Sequence, residues 1–140
     1  MVSDKAGSDP IEHITWHNQP IATIIRRHHM PTETTFVTPD SYYQQAGFVV
    51  YPKGGCVRRH AHLPIQRCLV GTPETLMVRK GRVEADLYAP DRSPLGNWIL
   101  EEGDIILLVA GGHSFRCLED TVFLEIKQGP YTGEVEKEAF

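Results

Sequence analysis

Apolar and polar residues alternate along much of this chain in short runs, and Gly and Pro repeatedly interrupt them. The breaks fall at Pro20, Pro31, Pro39, Pro52, Gly54, Gly55, Pro64, Gly71, Pro73 and Gly81. Between and after them lie the β-rich runs "IATIIR", "TTFVT", "GFVVY", "TLMVRK", "RVEADLY", "DIILLVA" and "TVFLEIK". In the fifth run Val83, Ala85 and Leu87 alternate with Glu84, Asp86 and Tyr88, the period-two pattern of a strand with one buried face. No window keeps apolar residues at helical spacing for three turns, so helix is expected to be minor, near residues 40 to 46. Many short strands with frequent turns predict an all-β sandwich or barrel.

Size changes this picture little. The chain has 140 residues, which suits a single domain and a core that needs no disulfide or metal merely to fold. Residues 1–10 are small and polar and read as a disordered tail, leaving residues 11–140 as the domain. Fourteen basic against eighteen acidic residues give a net charge of -4, which argues against nucleic acid as a partner. Cys56, Cys68 and Cys117 are an odd number without CxxC spacing and read as reduced, semi-buried thiols. The first residues hold no apolar leader, and no run reaches membrane-spanning length. A soluble, cytoplasmic protein without a membrane partner is therefore expected.

The chemistry gathers in "RRHAHLPIQRCLVGTPETLMVRKG", residues 58–81. On a strand His60 and His62 would share a face, with Cα atoms roughly 6.5 Å apart, close enough for both imidazoles to reach one ion. Arg58 has the same parity and would suit an anionic ligand, or else be a solvated charge at a strand end. Cys56 would stand roughly 13 Å from His60 along such a strand, beyond the same ion. Alone, the pair reads equally as two surface histidines. Further on, Glu125 and Lys127 alternate with Leu124 and Ile126, so one pair faces packing and the other water or a cavity; the solvated face is the simpler assignment for Glu125. Gln66, Arg67, Lys127 and Tyr131 are further candidates for a pocket. His28 and His29 are adjacent and cannot both serve one ion from a strand, and His13 and His17 read as surface residues.

The spacing carries more. Gly54, five residues, His60, one residue and His62 are followed by Glu74, six residues and Gly81, and then by "GDIILLVAGGHSF" ending at His113 and Phe115. This resembles the two motifs of the cupin superfamily over residues 45–130. "FVTPDSYYQQAGFVVYPKGG" and "LEIKQGPYTGEVEKEAF" are similar to a group of small stand-alone cupins described as metal-binding. The resemblance implies a double-stranded β-helix, or jelly-roll barrel, holding one divalent ion (Fe, Mn, Co, Ni or Zn) through His60, His62, Glu74 and His113. Three departures accompany it. The interval from His62 to Glu74 is an inserted loop, and Gln66 stands where the usual spacing puts the Glu, as runner-up to Glu74. In the second motif Val109 replaces a usual Pro and the turn before His113 is one residue short.

The resulting expectation is a metal-binding cupin that acts on a small polar metabolite: a sugar, sugar phosphate or hydroxy/keto acid. It would be a metal-dependent isomerase, lyase or dioxygenase, with Arg58, Glu125 and Tyr131 as catalytic candidates. The alternatives are a metal-free deoxysugar isomerase or epimerase using a histidine base, and a non-catalytic ligand-binding or sensor module. A homodimer is expected, with a strand such as "PIATIIR" covering a partner's sheet edge.

Overall fold

The computed structural model describes residues 9–140. Most of the expected tail lies outside these residues. Its last two are tied down: Ile11 N donates to Asp9 Oδ1 (3.0 Å) and Arg26 N to the Pro10 carbonyl (2.8 Å). Ten strands follow in chain order. They are β1 (Ile11–Trp16), β2 (Gln19–Ile25), β3 (Thr35–Phe36), β4 (Gly47–Phe48), β5 (Glu74–Lys80), β6 (Arg82–Tyr88), β7 (Pro94–Glu101), β8 (Ile105–Leu108), β9 (Gly112–Cys117) and β10 (Val122–Lys127). A 3-10 turn at Gly133–Glu136 is the only helix among the described residues. The helix expected near residues 40–46 is instead a turn, closed by Tyr42 N on the Pro39 carbonyl and by Gln45 Nε2 on the Pro39 and Tyr42 carbonyls. The protein is all-β and antiparallel throughout.

The chain divides into two compact units. The first, residues 1–29 with 72–140, carries a five-stranded sheet in the order β1-β2-β8-β5-β10 and a three-stranded sheet β7-β6-β9. No ladder closes these sheets into one ring among the described residues. Ile14, Ala22, Ile24, Leu76, Val78, Ile106 and Leu108 of the larger sheet form one core cluster with Val83, Ala85, Leu87 and Leu100 of the smaller. The alternation read in β6 is thus the core face of the smaller sheet. β2, expected to reach a partner's edge, pairs with β1 and β8 inside its own sheet, leaving β1 and β10 as the edges.

Arg26 and Asp104 hold the two sheets in register. Arg26 Nη1 donates to the Ile99 carbonyl of β7 (2.7 Å) and to Asp104 Oδ2 (3.0 Å), and its Nη2 to Glu12 Oε2 of β1 (2.7 Å). Asp104 also accepts from Arg27 N (2.9 Å) and Glu101 N (3.0 Å). Gly103, beside it, holds φ at +92°, the left-handed region that favours glycine. The Gly-Asp pair of the sequence motif is therefore a structural clamp.

The second unit, residues 30–71, contains the β3–β4 ladder and little else that is regular. Thr38 is its only buried residue among those described, hydrogen-bonded to Gln45 Oε1 (2.9 Å). Met30, Phe36, Tyr43, Val49, Tyr51, Val57, Leu63, Ile65 and Val70 are all more than half exposed.

Candidate functional site

Glu74 opens β5 between Leu108 of β8 and Lys127 of β10. Its cross-strand neighbours place it on the core face, where Leu76 and Val78 follow at period two. The carboxylate is buried at 8% exposure, and burial together with the adjacent Glu125 carboxylate raises its pKa above the ordinary range. His113 reaches the same place from the other sheet. It pairs with Leu87 across β6–β9, so it shares the core-facing parity of Phe115. Its Nε2 stands 3.3 Å from Glu74 Oε2. Burial lowers the His113 pKa, which favours the neutral imidazole; Glu125 opposes that effect and Lys137 adds to it.

The turn before His113 is built around Gly111. Its φ is +73°, and a Cβ there would collide with the Tyr88 carbonyl. A Cβ on Gly112 would strike the Phe140 ring instead. This explains how a turn lacking the usual Pro delivers His113 to Glu74.

On β10 Glu125 is solvent-exposed, as the simpler assignment has it, yet it lies on the Glu74 side of the ladder. Phe123, Glu125 and Lys127 oppose Val78, Leu76 and Glu74, so the two charged residues share the inner face with Glu74. Leu124 and Ile126 point to the other face and are 43% and 54% exposed. Phe115 packs on His113 and Phe123, with ring centroids 5.6 and 5.1 Å apart, and gives the site an aromatic wall. Lys127 Nζ lies 6.0 Å from the Tyr131 ring, which is itself 79% exposed. The wall and the chain end at Phe140 were not assigned to the site from the sequence, whereas Lys127 was a candidate. Alternating charge on the last strand was the available signal.

His60 and His62 belong to the second unit and are exposed. They do not lie on a strand: none spans residues 49–73, so the parity drawn for Arg58, His60 and His62 does not hold. Two arginines, Pro64 and the absence of a pairing ladder account for this, since an isolated strand gains no cross-strand bonds. The rings are neighbours nevertheless, with centroids 5.3 Å apart. His60 Nδ1 is 2.8 Å from the Arg58 carbonyl. A carbonyl only accepts, so Nδ1 carries the proton and a neutral ring keeps its Nε2 lone pair for a ligand bond. Arg58, Gln66 and Arg67 are exposed. The three cysteines are free and exposed, not semi-buried. His13 is exposed on β1 with Nδ1 3.1 Å from Thr23 Oγ1.

The structure therefore brings together Glu74 with His113, and His60 with His62. No group of three or more His, Cys, Asp or Glu side chains converges on one point among the described residues. The 3.3 Å between Glu74 Oε2 and His113 Nε2 fits a direct hydrogen bond poorly. It equals the span of two ligands about 2.0–2.2 Å from a common ion and roughly 100° apart. Comparison of the chain with family models, curated proteins and solved structures gave no match in any of the three. No helix among the described residues is long and apolar enough to cross a membrane.

The raised Glu74 pKa has a consequence for stability. A carboxyl whose folded pKa lies above its unfolded value favours the fold while protonated, and that contribution is lost as pH rises through the folded value. In metal-free protein, Glu74→Gln should therefore melt higher than wild type at pH 8, with the difference shrinking as pH falls toward 4.5. Melting curves across that range check it; a variant less stable at pH 8 would contradict it.

Proposed function

We propose that this chain is a divalent-metal-binding protein of the cupin type, a jelly-roll whose ion is held at Glu74 and His113. In this reading it is an enzyme acting on a small polar metabolite in the cytoplasm. The observation that carries the reading is the Glu74–His113 pair, a buried carboxylate and an imidazole separated as two ligands of one ion would be. An oxygen and nitrogen donor set without sulfur suits Fe, Mn, Co, Ni or Zn. When bound, the ion would polarise a carbonyl or lower the pKa of a bound water. Around it, Phe115 and Phe123 form an apolar wall, and Glu125 places a second carboxylate beside Glu74.

The test is elemental analysis of protein purified without added metal. Wild type should carry close to one ion per chain and Glu74→Ala well under a tenth of that. Equal content in the two proteins would refute the assignment. The same pair also supports a second reading, a metal-free isomerase or epimerase in which Glu74 orients a neutral His113 as general base. Metal-free wild type that keeps its activity would decide for it.

The protein is proposed to act as a homodimer. β1 and β10 leave open edges, and β10 exposes Val122, Leu124 and Ile126, an apolar edge strand of the kind that pairs with a second copy. Light scattering at micromolar concentration should give twice the 15.8 kDa chain mass; a clean monomer mass would exclude the dimer.

A further inference from the structure

The last thirteen residues form a strap with both ends at the Glu74–His113 pair. It begins after Lys127, the cross-strand partner of Glu74 on the inner face of β10. It ends with Phe140 packed edge-on against Tyr88, at a ring separation of 5.2 Å, and against Gly112, the residue before His113. Between these ends it is tied by charge. Glu136 Oε1 lies 3.4 Å from Lys127 Nζ while its Oε2 accepts from Thr132 Oγ1 at 2.7 Å. Glu138 pairs with Arg92 at 2.5 Å, and Arg92 also lies over the Phe140 ring at 5.1 Å.

An inward-facing lysine on an edge strand needs a counter-charge, because long cations are seldom held away from water unpaired. Glu74 and Glu125 are close by, yet the carboxylate within ion-pair distance of Lys127 is Glu136, from the chain's own end. We propose that Lys127 is the oxyanion-binding position of this site, and that Glu136 occupies it in the resting chain as an internal stand-in for the ligand. The proposal rests on the reading of this end of the sandwich as a small-molecule site and adds a class to it. The ligand bears a carboxylate or phosphate, and its opposite end, near Glu74 and His113, is neutral or hydrogen-bonding. A second negative group there would meet Glu74 and Glu125. Binding exchanges one oxyanion on Lys127 for another and frees Glu136, so the strap loosens at its first tie. Its other ties, the Arg92–Glu138 ion pair and the packing of Phe140 against Arg92, Tyr88 and Gly112, stay in place.

The test uses the full-length, isotope-labelled protein stripped of metal with a chelator, titrated with glycolate and, separately, with inorganic phosphate. Dissociation constants are read from backbone amide shifts. Glu136→Gln should bind the effective probe two- to fivefold more tightly than wild type, because the internal competitor is gone. Lys127→Met should weaken it about tenfold or more. Should Glu136→Gln fold poorly, Thr132→Val removes the support of Glu136 and should shift affinity in the same direction. Response to glycolate alone assigns a carboxylate, and response to phosphate alone assigns a phosphate. The proposal is overturned if Glu136→Gln or Thr132→Val binds no more tightly than wild type, if Lys127→Met binds as well, or if neither probe binds the Gln variant at tens of millimolar. Because metal has been removed, these outcomes are independent of the metal content that tests the proposed function.

Discussion

Asp104→Ala should destabilise the protein by about 3–5 kcal/mol, the range for removing one partner of a buried ion pair. The side chain is 4% exposed and accepts from Arg26 Nη1, Arg27 N and Glu101 N. Alanine would take this acceptor from all three donors at once. Arg26 would keep Glu12 and the Ile99 carbonyl, but Arg27 N after β2 and Glu101 N at the end of β7 would each lose their bond to the carboxylate. Against a total stability of about 5–15 kcal/mol the loss is large. Urea denaturation followed by circular dichroism should show the midpoint falling steeply, with Asp104→Asn milder because one carbonyl oxygen remains. A change below about 1 kcal/mol would mean that the clamp does not hold the sheets together.

The second large effect concerns the metal. On the proposed assignment, His113→Ala should remove the ion, since Glu74 alone holds a divalent metal far less tightly. With it goes the stabilisation that a bound ligand confers, about 4 kcal/mol at a thousandfold excess over Kd. Arg58→Ala is the control. The residue is exposed and is neither of the two proposed ligands, so metal content should not change. Elemental analysis and melting temperatures with and without chelator read both variants. Metal kept by His113→Ala, or lost from Arg58→Ala, would move the ion away from the Glu74–His113 pair.

Much of the fold was legible where burial on one face imposed a period of two. β6 shows this best, since Val83, Ala85 and Leu87 all reach the core. β7 and β9 were not read, and the reason is compositional. "PLGNWILE" holds Pro, Gly and Asn, and "GHSFRC" is mostly polar, so neither displays the alternation that neighbouring strands impose on it. β10 shows that period alone does not choose the face. Its apolar pair was the natural candidate for packing, yet Leu124 and Ile126 point outward and Glu125 and Lys127 inward. Only the register against β5 decides that. The spacing of Glu74 and His113 was enough to pick out two residues that meet across two sheets. His60 and His62 were picked out by the same kind of spacing but given the wrong local structure, because a strand needs a partner that a short motif does not disclose. The contacts of Glu136 and Phe140 were invisible in the sequence, depending as they do on where the chain end folds back.

The most direct measurement is a crystal structure of the protein purified without chelator, with anomalous scattering data collected at the absorption edge of the metal found by elemental analysis. The account predicts one anomalous peak about 2.0–2.2 Å from Glu74 Oε2 and His113 Nε2. A peak elsewhere, or Glu74 and His113 bonded directly to each other with no ion between them, would contradict it.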